Sequence, residues 1–131
     1  MIRLLALDMD GTCLNGRSRM TEETIRTIRK AADAGIIIVP TSGRPLTCLP
    51  YQMTQEKGLY RYTITSNGAQ VVDLEEKKTL FRMLMKRERV VQFLRECEEL
   101  NVVRMTHIQH RYVMEGPLME VAGRIVYGRD V

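Results

Sequence analysis

The apolar run of residues 2–7 ends abruptly in Asp8-Met9-Asp10-Gly11-Thr12, and this junction restricts the fold more than any other stretch of the chain. A run this short, rich in leucine and closed by acids, suits a strand buried in a sheet. Two carboxylates at the C-terminal end of such a strand stand where open α/β sheets place their ligand chemistry. Strand side chains alternate between faces, but a loop beginning at Asp8 can turn both acids toward one point, and Gly11 permits close backbone approach to a ligand. Taken alone, the Asp-Gly pair also suits an ordinary turn.

The following residues repeat the pattern. Thr21 is placed to cap a helix whose first turn carries Glu22 and Glu23, both favourable at the positive end of the helix dipole. Ile25, Ile28 and Ala32 fall at helical spacing, Gly35 supplies a stop, and residues 36–39 form a β-branched run bounded by Pro40. This β-α-β unit predicts a parallel sheet in which Thr41-Ser42-Gly43-Arg44-Pro45 lies beside the first loop. A third round follows: a short helix over residues 46–55, a strand over 62–65, and then Ser66-Asn67-Gly68-Ala69.

Beyond Ala69 the rhythm changes. Residues 71–74 and 79–83, around the charged turn 75–78, predict a hairpin. Val90, Phe93, Leu94, Cys97 and Leu100 mark one face of a helix ending near Asn101, and residues 102–108 and 112–115 predict a second hairpin closed around 109–111. Residues 116–131 carry mixed signals. A domain boundary is expected near Ala69 and Gln70, dividing 1–69 from 70–131.

With 131 residues and 44% hydrophobic content, the chain suits one domain or a domain and a half. Its net charge of +4 hints at anionic partners, but lysine and arginine are dispersed among acids, which gives no nucleic-acid footprint. Cys13, Cys48 and Cys97 are odd in number and form no Cys-x-x-Cys, against a disulfide framework or zinc site and in keeping with a reducing cytoplasm. No run approaches a signal-peptide core or a membrane span, so no membrane association is expected.

Three converging strand-end loops suit phosphoryl chemistry. A carboxylate such as Asp8 can attack phosphorus to form an aspartyl-phosphate, while Asp10 serves as acid on the leaving oxygen and then as base on water. Carboxylate and carbonyl oxygens are the ligands Mg²⁺ prefers, and the ion would screen repulsion between anionic nucleophile and anionic substrate. Ser42 offers a hydroxyl to a phosphoryl oxygen, Gly43 permits close approach, and Arg44 can fork onto a phosphate or another polar part of the substrate.

These three motifs, in this order and spacing, resemble the haloacid dehalogenase superfamily, and within it the Cof-type sugar-phosphate phosphatases. The resemblance implies a HAD-like, Rossmann-like parallel sheet, here incomplete, followed by part of an α+β cap. It makes Asp8 the nucleophile and Asp10 the general acid/base whose backbone carbonyl also reaches Mg²⁺. Ser42 becomes the phosphate-binding hydroxyl, and Asn67 and Gly68 belong to a third loop beside the start of the cap. Gly11, Thr12, Gly43 and Arg44 are grouped with them as substrate- or phosphate-binding residues, and the substrate implied is a small phosphorylated metabolite.

In the family a lysine and a further acidic pair follow the cap and complete the site. Neither has a counterpart here; Lys86 and Asp130 lie in cap-like sequence and are not given those roles. The chain is therefore expected to match the first half of such a phosphatase, ending inside the cap, with impaired turnover on its own. A second class stays open, a non-catalytic phosphate-binding or interaction module derived from a truncated relative. A receiver-type domain is disfavoured, since its acids lie on different strands. Because the family's first strand is central, residues 3–7 should form an exposed edge, a template for self-association or for a complementary fragment.

Other residues take the plainer reading. His107 and His110 read as hairpin or solvated histidines, because three-residue spacing in a strand or turn does not bring both to one face. Met83, Met85, Met105, Met114 and Met119 read as core filling, and Cys13, which has no partner base, as an inert thiol. Lys86, Arg87 and Arg89 read as a solvated helix start with Glu88.

Overall fold

The computed structural model describes residues 2–50, 58–100, 102, 104–108 and 110–115. Its strands are β1 (Leu4–Asp8), β2 (Ile37–Thr41), β3 (Tyr62–Thr65), β4 (Gln70–Asp73), β5 (Lys78–Arg82), β6 (Arg104–Ile108) and β7 (Arg111–Glu115). The helices are α1 (Glu22–Asp33) and α2 (Arg87–Glu99). Strands β1 to β5 form one sheet in chain order, parallel from β1 to β3 and antiparallel from β3 to β5, and β6 and β7 pair separately as an antiparallel hairpin.

Helix α1 begins where its cap predicts: Thr24 N–H donates to Thr21 Oγ1 at 3.2 Å, with Glu22 and Glu23 in the first turn. It stops at Gly35, whose φ of +81° is left-handed and costs glycine little. The N–H groups of Gly35 and Ile36 return to the carbonyls of Ala32 and Ala31, closing the helix and feeding β2. Ile28 buries against the sheet and joins Met9, Leu14, Met20, Ile38, Leu49, Leu59 and Tyr60 in one core. Each such side chain contributes about 1.5–3 kcal/mol by leaving water.

Strand β2 runs through Pro40 to Thr41, where the sequence suggested an end before the proline. A proline donates nothing to a ladder, and the β2–β3 register is reduced to Thr41 opposite Ile64. The Pro40 carbonyl still finds a partner, accepting from the Thr63 hydroxyl at 3.2 Å.

The short helix expected over 46–55 is only a tight turn, Leu46–Cys48. Leu49 is extended (φ −67°, ψ 142°) because the following Pro50 disfavours helical backbone at the residue before it. Residues 51–55 of that expectation lie outside the described residues, as do Asn101, Gln109, Met119, Asp130 and all of 116–131.

The predicted first hairpin is present as β4–β5, with a bulge between Val71 and Val72. Sheet hydrogen bonding continues across residues 69 and 70, since β4 pairs antiparallel with β3 and Thr65 faces Gln70. On α2, Cys97 is buried and Val90 and Leu94 are half-buried, while Phe93 and Leu100 stay exposed. Arg104 Nη1 donates to the Leu94 carbonyl at 2.9 Å and ties α2 to β6. At the other limit, β1 pairs with β2 alone among the described strands, and Leu4 is 54% exposed. No helix among the described residues is long and apolar enough to cross a membrane.

Candidate active site

Parallel pairing brings the three strand ends level. Asp8 lies opposite Thr41, and Thr41 opposite Ile64, so the segments after β1, β2 and β3 emerge at one edge of the sheet. Met9 is wholly buried between two exposed acids, Asp8 and Asp10. Its side chain anchors the turn in the core and leaves the carboxylates on the solvent side. Leu14 N–H donates to the Met9 carbonyl at 2.9 Å to close the turn, and Gly11 supplies the left-handed residue (φ +78°) it needs. Thr12 Oγ1 donates to Asp8 Oδ2 at 2.9 Å and fixes that carboxylate.

The second loop attaches itself to Asp10. Arg44 Nη2 donates to Asp10 Oδ1 at 2.8 Å, Arg44 Nε lies 3.2 Å from both carboxylate oxygens, and Ser42 Oγ donates to Oδ2 at 3.1 Å. The Arg44 side chain is 6% exposed against 47% for Asp10, so a buried cation meets a carboxylate open to solvent. Arg44 also reaches Ser18 Oγ at 3.2 Å and the Cys48 carbonyl at 3.4 Å, while its own N–H donates to Ser42 Oγ at 3.1 Å. The sequence offered Arg44 to a phosphate or another polar part of a substrate; in the fold its guanidinium lies against Asp10.

The third loop is fastened to the second. Ser42 N–H donates to the Ile64 carbonyl, Ser66 N–H to that of Arg44 and Asn67 N–H to that of Ser42, at 3.0, 3.0 and 3.3 Å. Ser66, Asn67 and Gly68 take successive left-handed conformations (φ 53°, 54° and 88°). A Cβ on Gly43 would stand 2.7 Å from Asn67 Oδ1, so a side chain there would have to push the Asn67 amide of the neighbouring loop aside. Of the site residues expected from sequence, Asp10, Ser42 and Arg44 form one hydrogen-bonded cluster, Gly43, Asn67 and Gly68 abut it, and Asp8 with Gly11 and Thr12 forms the adjoining turn.

Two contacts had no local signal. His107 Nδ1 lies 3.0 Å from Ser66 Oγ, and His110 Nδ1 lies 3.2 Å from Gln70 Oε1. Thr47 Oγ1 and N–H also donate to the His110 carbonyl. The histidines are hairpin residues, as expected, yet they seat that hairpin on the strand-end loops. His107 also packs edge-on against Tyr112 at 4.7 Å, and burial pushes its pKa down. Burial, and secondarily the Asp8 charge, push the Cys13 thiol up, away from a reactive thiolate. Among the described residues no buried side-chain nitrogen or oxygen lacks a hydrogen-bond partner.

A β-α-β unit with acids, a hydroxyl and a glycine-bearing turn gathered at its strand ends defines an α/β protein whose loops stand where open sheets place their ligand chemistry. More narrowly, the sequence matches the haloacid dehalogenase-like hydrolase family over residues 5–123, and the chain belongs to that family. It is 38% identical over 84 residues to the 5-amino-6-(5-phospho-D-ribitylamino)uracil phosphatase of Bacillus subtilis, covering 60% of this chain and 33% of that protein. It is 36% identical over 75 residues to the HMP-PP phosphatase of Yersinia pestis, covering 57% and 27%. The chain thus spans about a third of the length of the curated relatives it matches. In fold it resembles a HAD subclass IIB sugar phosphatase, with a TM-score of 0.81 and 24% identity over 95% of this chain and 48% of that one. The Rossmann-like sheet and the family expected from the three loops are both borne out.

Proposed function

We propose that this chain carries the nucleophile half of a phosphatase acting on small phosphorylated metabolites such as sugar phosphates. The observation supporting this most directly is the level placement of Asp8, Ser42 and Asn67 at the ends of three neighbouring parallel-paired strands, with Asp10 bound to the second loop. Residues 1–69 supply the loop-bearing core and residues 70–131 part of a cap, although the β4–β5 hairpin extends the core sheet before α2 begins. That both relatives are known as phosphatases supports the reaction class.

In this reading Asp8 Oδ attacks phosphorus while the bond to the leaving oxygen breaks and that oxygen takes a proton from Asp10. Water then attacks the aspartyl-phosphate, Asp10 takes its proton, and inorganic phosphate leaves Asp8. Ser42 turns its hydrogen to a phosphoryl oxygen. Gly11, Thr12, Gly43, Asn67 and Gly68 shape the phosphate side, where glycine backbones and main-chain N–H groups can come close. The oxygen donors suit Mg²⁺: the Asp8 carboxylate is open to solvent, and Asp10, its carboxylate engaged by Arg44, retains a main-chain carbonyl. Bound there, the ion would screen the charge of nucleophile and substrate.

The alternative is a non-catalytic phosphate-binding module, for which the three loops gathered at one edge of the sheet would suffice. Hydrolysis of an aryl phosphate with and without Mg²⁺, with Asp8→Asn as the blank, decides between them. Metal-dependent turnover absent from Asp8→Asn is the expected result, because an amide cannot replace the nucleophile. Retained activity in that variant refutes the role of Asp8, and turnover no greater than the blank favours the binding module.

A further inference from the structure

We infer that Arg44 is not a substrate ligand but a positioning residue, which aims the Asp10 carboxylate and releases the Ser42 hydroxyl for phosphate. The inference rests on the phosphatase reading for its catalytic consequence, but its geometry stands independently. Three Arg44-to-carboxylate approaches, at 2.8, 3.2 and 3.2 Å, fix Asp10 in a fork that a single-point cation such as lysine cannot reproduce. The guanidinium is held from behind by Ser18 Oγ and the Cys48 carbonyl, and its side chain is 6% exposed. A group so enclosed has its donors directed at Asp10 and the fold.

The division of labour between the carboxylate oxygens follows from the same distances. Oδ1 holds the shortest bond, from Nη2, whereas Oδ2 is shared between Nε and the Ser42 hydroxyl. Ser42 has one hydroxyl hydrogen, and here it goes to Oδ2. When that hydrogen turns to an incoming phosphoryl oxygen, Oδ1 remains anchored by Nη2 and Oδ2 is vacated on one side. Oδ2 is then the atom that carries the proton to the leaving oxygen and later takes one from water. Arg44 keeps Asp10 in place through that exchange. The Arg44 N–H to Ser42 Oγ bond, at 3.1 Å, holds the hydroxyl oxygen between the two positions.

The experiment uses the full chain labelled with ¹⁵N-arginine, reading solvent exchange and chemical shift at the Arg44 Nε–H, assigned by its loss in Arg44→Lys. Asp10→Asn is expected to speed exchange at that site by about ten-fold or more, since opening of the fork exposes the proton. Inorganic phosphate titrated into the wild type is expected to leave the Arg44 Nε–H protected from exchange, with only a small shift as the Ser42 hydrogen leaves the oxygen it shares with Nε. Exchange within two-fold of wild type in Asp10→Asn, or phosphate that speeds exchange of the wild-type Nε–H by about ten-fold or more as it draws the guanidinium off Asp10, overturns the inference. Should Asp10→Asn not fold, the phosphate titration alone decides. Where turnover is measurable, Arg44→Lys should lower kcat about 10²-fold with little change in KM, and should add no further loss in an Asp10→Asn background. A raised KM with unchanged kcat, or multiplicative losses, overturns it. Absence of turnover counts against the phosphatase reading and leaves the exchange measurement decisive.

Discussion

Gly43→Ala tests the contact that holds the second and third loops together, and the structure fixes both sign and size of the effect. A Cβ there would meet Asn67 Oδ1 at 2.7 Å, with Asn67 Cγ at 3.4 Å and Nδ2 at 3.5 Å, so the amide must retreat by about 0.7 Å to reach ordinary contact. Forced overpacking of this kind costs roughly 1–3 kcal/mol, and an amide side chain that can rotate falls at the lower end. Gly43 does not occupy the left-handed region, so alanine suffers no backbone strain and gains about 0.4–1 kcal/mol by restricting the unfolded chain. The expected net change is a loss of about 0.5 kcal/mol or less, the difference between an overpacking cost of about 1 kcal/mol and that gain. In an Asn67→Gly background the obstacle is gone, the left-handed φ of 54° is retained at no cost, and the same substitution should become neutral or stabilising. Urea denaturation of the four proteins in this double-mutant cycle reads the coupling directly. Additive effects within about 0.5 kcal/mol would refute the claim that Asn67 is what excludes a side chain at position 43.

Two further outcomes are expected. Asp73 is 2% exposed and accepts from the N–H groups of Glu75 and Glu76 and from Arg61 Nε, each at 3.0 Å. The Glu76 backbone hydrogen bond, ahead of the Arg61 contacts, holds its pKa below the usual carboxylate range. Its stabilisation is therefore complete above the unfolded value of about 3.9 and is lost as pH falls through the lower folded value; the urea midpoint should drop across that window in the wild type and less steeply in Asp73→Asn, and equal slopes would discount this turn. At the sheet margin, the expected self-association through β1 predicts a concentration-dependent rise in mass by light scattering, abolished by Leu4→Lys, which places a charge on the open edge; a monodisperse wild-type monomer with slow amide exchange at residues 4–7 would sink it.

Much of this fold was legible because its signals are local. Thr21, Glu22 and Glu23 start α1 and Gly35 ends it, as their chemistry requires. The apolar runs before Asp8 and Thr41 became paired parallel strands because each is too short and too apolar for an exposed helix. What failed was also physical. The expected helix after Pro45 gave way at Leu49, where the proline-preceding position overrode helical spacing, and β2 continued through Pro40 because its pairing with β1 carries on, with Leu7 opposite Pro40 and Asp8 opposite Thr41.

The site divides along the same line. Residue types at strand ends named Asp8, Asp10, Ser42 and Arg44 as a set, but the direction of Arg44 depended on Asp10, 34 positions earlier, and on Ser18 and Cys48 enclosing the guanidinium. A sequence motif records that an arginine follows Ser-Gly; it does not record which anion lies within reach. Here the nearer anion belongs to the protein. The protein's own carboxylate already faces the fork at 2.8 Å, and the guanidinium is held by burial, so a mobile phosphate would have to displace a partner tethered to the same site by the chain. That competition favours Asp10, and under the proposed phosphatase reading it makes the arginine of the second loop a partner of the acid–base carboxylate, leaving Ser42 and the glycine-bearing backbone for the substrate.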